Sequence, residues 1–109
     1  MKILFPFLLL SAIHLKAQYI KEVYFSQKAD FKVYVVDYPS KADLLVYKVS
    51  YPGDADGNDG KWYFTDVSKW AAKKVYFTSN QYAADLKIYY VSSKYKTGWR
   101  NKNKKYLLD

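Results

Sequence analysis

Ala29-Asp30-Phe31-Lys32-Val33-Tyr34, Ala42-Asp43-Leu44-Leu45-Val46-Tyr47 and Ala84-Asp85-Leu86-Lys87-Ile88-Tyr89 are three copies of one phrase, which makes this chain a short unit written repeatedly. A β-branched residue followed by Tyr stands at 33-34, 46-47, 75-76 and 88-89, and Trp62-Tyr63 takes the same place between them, so the steps run 13, 16, 13 and 13 residues. The step of 16 is the period plus a three-residue Gly-rich insertion, because Ala55-Asp56 still follows Ala42-Asp43 by 13 while Ala71-Ala72 and Ala84-Asp85 keep the later phase. Val23-Tyr24 stands 10 residues before the first of these pairs.

A 13-residue period is shorter than the units of common solenoids, which run to about 20–50 residues. At roughly 3.3 Å per residue, a strand takes up about half of each unit, so each unit crosses the molecule once and returns. Lys32-Val33-Tyr34-Val35-Val36 and Lys87-Ile88-Tyr89-Tyr90-Val91 are apolar on both alternating faces and read as strands buried on both sides. Val23-Tyr24-Phe25, Leu45 to Val49, Trp62-Tyr63-Phe64 and Val75-Tyr76-Phe77 are shorter strands of the same bias, six candidates in all. Tyr38-Pro39-Ser40, Tyr51-Pro52-Gly53 and Asp54 to Gly60 carry the turn residues. The recurring Ala-Asp suits a tight approach to a strand: Ala is small enough for close crossing, and Asp can accept from local backbone N–H groups. Asp66 is a good N-cap for a short helix over Val67 to Lys74, where Val67, Trp70 and Ala71 share a face, although the same residues also lead into Val75-Tyr76. The expected architecture is a small, mainly β single domain of repeated strand units, α+β if that helix forms.

Met1-Lys2, the apolar run Ile3 to Ile13 and the small residue of Ala17-Gln18 read as an export signal over residues 1–17, with the domain at 18–109. The run is short of the roughly 20 apolar residues that a spanning helix needs. The expected compartment is therefore the periplasm or the cell exterior. Small exported domains usually rely on disulfides, yet this chain has no Cys. Its 20% aromatic content, with 13 Tyr, offers another source of stability, since each buried aromatic removes roughly 150–250 Å² from water. The formal charge of +8 falls to +6 without Lys2 and Lys16, and Lys94, Lys96, Arg100, Lys102, Lys104 and Lys105 against Asp109 account for +5 of it.

The Ala-Asp-x-Lys-Val-Tyr units, the phrase Gly60-Lys61-Trp62-Tyr63-Phe64 and the ending Gly98-Trp99-Arg100-Asn101-Lys102-Asn103-Lys104-Lys105-Tyr106-Leu107-Leu108 together resemble the septoil-knot domain, a small bacterial family of unknown function. The resemblance covers about Val23 to Leu108. It implies a compact monomer whose backbone is deeply knotted with seven-crossing torus topology, and it implies no activity, ligand or cofactor. Leu45 in place of Lys, Ala72 in place of Asp and Thr97 in place of Ala depart from the repeat. A chain that repeats one short crossing unit can wind about itself regularly, which such a knot requires.

The only His, His14, lies in the signal, so the mature chain has neither His nor Cys. A Ser-His-Asp triad, a thiol nucleophile and the usual transition-metal ligands are excluded. Asp30, Asp43, Asp56 and Asp85 recur in repeat register and read as turn or capping residues rather than catalytic acids. Asp54 to Gly60 resembles a calcium loop only in composition: from Asp54, the turn-Gly position holds Asp59 and the closing acid would be Thr65, so a flexible turn is expected. Trp62 and Trp70 are expected in the core. Arg100, Lys102, Lys104 and Lys105, beside Trp99, suit an anionic polysaccharide or lipid headgroup, with nucleic acid disfavoured by export. Against that, Gly98-Trp99 and Leu107-Leu108 can anchor the segment while its cations simply face water. The expected function is a non-catalytic exported module without cofactor; a structural or protein-interaction domain of the envelope is the alternative, and a small hydrolase the third.

Overall fold

The computed structural model describes residues 17–109, so the segment expected to be an export signal, apart from Ala17, lies outside the described residues. Seven strands, β1 (Tyr19–Glu22), β2 (Phe31–Val35), β3 (Leu44–Lys48), β4 (Lys61–Phe64), β5 (Lys73–Phe77), β6 (Leu86–Tyr90) and β7 (Gly98–Trp99), alternate with single 3₁₀ turns, and a longer 3₁₀ helix, Lys102–Leu108, follows β7. No α-helix occurs among the described residues. The helix expected over Val67 to Lys74 shrinks to the turn Ser68–Trp70, because Lys73 and Lys74 already belong to β5. That turn occupies the same repeat positions as Gln81–Ala83 and Lys94–Lys96. Trp70 is 58% exposed there, contrary to the core position expected for it.

The first six strands are parallel and close into a barrel in the order β4-β1-β5-β2-β6-β3, with β3 returning to β4 through Tyr47↔Lys61 and Lys48↔Trp62. Chain order around this ring is not spatial order. β1, β2 and β3 occupy every second place on a first lap; β5 and β6 then fill the gaps on a second lap begun by β4. Each two-place step carries its connection over the strand between, so Ser26–Lys28 packs on β5 and Pro39–Lys41 on β6.

The register explains why one short period suffices. Ile20 pairs with Lys73, Phe31 with Val75, Val33 with Leu86, and Leu44 with Ile88, so neighbouring strands are offset by two residues, as they also are at β3–β4 and β4–β1. A two-residue offset preserves side-chain facing, since the strand period is two. Equivalent inward positions therefore fall into one ring: Ile20, Val75, Val33, Ile88, Val46 and Trp62 are all fully buried. Removing each from water stabilises the fold by about 1.5–3 kcal/mol. Five aliphatic side chains and one indole fill the bore.

This ring corrects two expectations. Ile20 lies 13 residues before Val33, so the first strand is Tyr19–Glu22; Val23 stands where Val36 and Val49 stand, just past a strand, and Tyr24 and Phe25 are exposed. Burial on both faces holds only for the inner one: Val33, Val46 and Ile88 are buried, whereas Tyr34, Tyr47 and Tyr89 point outward and are half-exposed. A parallel sheet usually has helices over its outer face. Here the cover is a single turn per strand, too narrow to hide a phenol ring.

The repeated Asp residues work across strands rather than within their own turns. Asp30 accepts from the Lys74 N–H at 2.7 Å, Asp43 from that of Lys87 at 2.8 Å and Asp85 from that of Lys32 at 2.8 Å. In each pair the Asp N–H also donates to the same Lys carbonyl, at 2.7, 2.7 and 2.9 Å respectively. Each is a two-point clasp at the start of a neighbouring strand. Ala72 retains only the backbone half, donating to Tyr19 O at 2.7 Å.

Candidate binding surfaces at the two ends of the barrel

The end where the strands start is closed by the chain's last segment. β7 runs antiparallel to β3, with Leu44↔Trp99 and Leu45↔Gly98, and the N–H groups of Arg100 and Asn101 both donate to Asp43 O at 2.8 and 3.0 Å. Leu108 is buried in the core with Leu107 packed beside it, and Gln18 Nε2 donates to Leu108 O at 3.3 Å. The Gly-rich insertion receives this segment: Trp99 Nε1 donates to Asn58 O at 3.0 Å, while Asn58 Nδ2 donates to Lys105 O at 3.2 Å and to Asp109 Oδ1 at 2.9 Å. The insertion is thus a socket and not the flexible turn expected of it. Gly60 within it has φ 108°, and a Cβ there would collide with Leu45 O, so only glycine fits.

Of the four cations singled out in the sequence, Arg100, Lys102 and Lys105 are exposed at this sealed end. Lys104 is not free. Its Nζ donates to Asp85 O at 2.9 Å and lies 3.4 Å from Asp43 Oδ2, tying the terminal helix to the clasps of two strands. Asp43 is the hub, since Oδ1 also accepts from Asn101 Nδ2 at 3.3 Å. The carboxylates of Asp30, Asp43 and Asp85 are therefore spent on structure. Among the described residues, no three His, Cys, Asp or Glu side chains come together as metal ligands.

The opposite end is open. Two residues beyond the buried ring, the six strands present Glu22, Phe77, Val35, Tyr90, Lys48 and Phe64, in that order around the rim. They line a bowl of about 420 Å³, with Thr65 and Asp66 at its edge. The Lys48 ammonium lies 4.5 Å from the Tyr90 ring centre and 5.5 Å from that of Phe64, a cation held over two π faces. Burial, and then the Glu22 carboxylate, push the Tyr90 hydroxyl from 10.0 up to about 12, which keeps it protonated. Strand ends of parallel sheets are where such folds usually place their ligands. Reading strand by strand misses this site, because its residues are scattered from Glu22 to Tyr90. The usable signal is that one repeat position turns from aliphatic or aromatic to charged at Glu22 and Lys48.

These features define a class: a small closed parallel barrel of 13-residue units, sealed at one end and open at the other. A sequence-family profile described as the 7(1) septoil knot domain matches residues 16–100, and the chain belongs to that family. The match takes in all seven strands but stops at Arg100, leaving the Asn101–Leu108 part of the resembling ending outside it. No curated protein and no solved structure matches the chain.

Proposed function

We propose that this is an exported, non-catalytic binding module that holds an anionic partner, a polysaccharide or lipid headgroup, against Arg100, Lys102 and Lys105. The observation that carries this reading is the docking of the segment between Trp99 and Leu108. Because Leu108 is buried and the backbone is pinned to Asp43 and Asn58, the main chain that carries the three exposed cations is fixed before a partner arrives. Preorganised charges bind with a smaller entropic loss than the same charges on a frayed tail. Lys104 acts as the tether for this surface rather than as a ligand-binding group. The test is retention on heparin across a salt gradient. Replacing Arg100, Lys102 and Lys105 together by Gln should move elution to markedly lower salt while the folded spectrum is kept. Unchanged elution would leave the alternative, a structural or protein-interaction domain of the envelope.

The same proposal extends to topology. Two interleaved laps of parallel strands, with the end segment crossing the strand starts, support a seven-crossing torus knot of the kind the family description names. Stretching the unfolded chain from both ends should then stop short of the roughly 3.3–3.6 Å per residue of an open chain. Full extension would show that the backbone is not knotted.

A further inference from the structure

We propose that the open bowl is an aromatic cage for an alkylammonium group, occupied in the free protein by the domain's own Lys48. Three observations converge. The Lys48 ammonium rests over Tyr90 and Phe64 at 4.5 and 5.5 Å, which shows that the cage takes a cation of this size. Among the described residues no carboxylate pairs with it, so its position is set by the rings and not by an ion pair. Among the described residues the Glu22 and Asp66 carboxylates, also on the bowl, form no ion pair either; Lys21 Nζ donates to Asp66 O at 3.0 Å, which leaves Glu22 as the rim carboxylate with no ammonium bonded to its residue.

On a domain with a net charge of +6 once Lys2 and Lys16 are excluded, the bowl is an aromatic-walled hollow whose acids, Glu22 and Asp66, balance the cations Lys48 and Lys21, so it lacks the net positive charge of the rest of the domain. Ring faces and carboxylates both favour cations, and quaternary or primary ammonium groups are the ligands that aromatic cages recognise. Lys48 itself is exposed and sits at the end of β3, so its flexible stem can swing into solvent without disturbing the buried ring. A ligand ammonium would take its place over Tyr90 and Phe64, with Glu22 supplying the countercharge. This proposal is independent of the basic surface at the other end of the barrel.

The experiment is an NMR titration of the mature protein with tetramethylammonium, using tert-butanol as the neutral control of similar shape and reading the ring resonances of Phe64, Phe77 and Tyr90. Tetramethylammonium should shift these resonances saturably and tert-butanol should not. Lys48→Met keeps the apolar stem and removes the internal competitor, so its affinity should rise about three- to tenfold. Glu22→Gln should weaken binding about two- to fivefold. The cage is overturned if tetramethylammonium leaves the rings unmoved in both the parent and Lys48→Met, or if tert-butanol moves them equally. Equal affinity of parent and Lys48→Met would overturn the role of Lys48 as occupant.

Discussion

At the strand starts, the inward positions two residues before the central ring include Gln18, Phe31, Leu44 and Leu86, and Leu108 closes over them. At the strand ends, the positions two residues after the ring carry Glu22, Phe77, Val35, Tyr90, Lys48 and Phe64, and these face an open bowl. Both sets come from the same repeating unit, so the unit itself does not decide which end is sealed. The path of the chain does. Every unit finishes by returning from a strand end to the starting level, and residues added after the last return, Gly98 onward, can only arrive at the strand starts. Sealing one end with apolar side chains leaves the other free to carry charge.

The largest test of this division is deletion of Trp99 to Asp109. Leu108→Ala alone should cost about 2–5 kcal/mol, the usual range for a buried leucine. Losing Trp99 and Leu107 as well should abolish a cooperative unfolding transition in denaturant. A truncation to the same residue at the open end, Val35→Ala, should cost less than about 1 kcal/mol, because Val35 is 38% exposed and its site can relax into solvent. Equal losses at both ends would break the contrast.

A smaller effect separates the clasps. Asp43→Ala removes the partner of Lys87, Asn101 and Lys104 and should cost about 1–3 kcal/mol. Asp30→Ala removes one backbone partner and should cost about 0.5–1.5 kcal/mol. A urea titration of both variants decides whether Asp43 serves the seal as well as the sheet.

The smallest effect is alkaline and belongs to the open end. Between pH 10.0 and about 12, the unfolded chain releases the Tyr90 proton while the folded chain keeps it. The contribution of this group to stability is therefore intact below the lower value and lost as pH rises through the upper one. Tyr90→Phe should flatten that limb of the stability–pH curve measured by denaturant melts, and an unaltered limb would show that Tyr90 is not held protonated by the bowl.

Much of the barrel is legible in the repeats, because Val33, Val46 and Ile88 mark the buried ring and the 13-residue step keeps them in one register. The first strand is misplaced for a physical reason: Val23-Tyr24 imitates the β-branched-then-Tyr pair, whereas Ile20, followed by Lys21, lacks the tyrosine although it holds the correct phase. The outer tyrosines look buried because hydropathy alone does not report how wide their cover is. Trp70 fails in the same direction and further, an apolar residue displayed on a turn. The long-range partners of the Asp residues are not readable either, since Lys74 lies 44 positions from Asp30 and only the interleaving of the two laps brings them together. Of the candidate site, the basic cluster was visible as composition, but the diversion of Lys104 into a tether depends on Asp85 and Asp43 lying beneath it.

The contact between Gln18 and Leu108 joins residues 90 apart in sequence at a single pole of the barrel. A pull applied between these two points therefore has a short load path: it strains their hydrogen bond and draws the Leu108 plug outward, while on the other side it loads the β1–β4 pairing first, where Tyr63 N–H donates to Gln18 O at 3.0 Å. Bonds loaded one after another yield at low force, so the molecule should begin to give way by peeling even where its resistance to heat is high. Anchored at this pole, it would also present the bowl on the side away from its anchor.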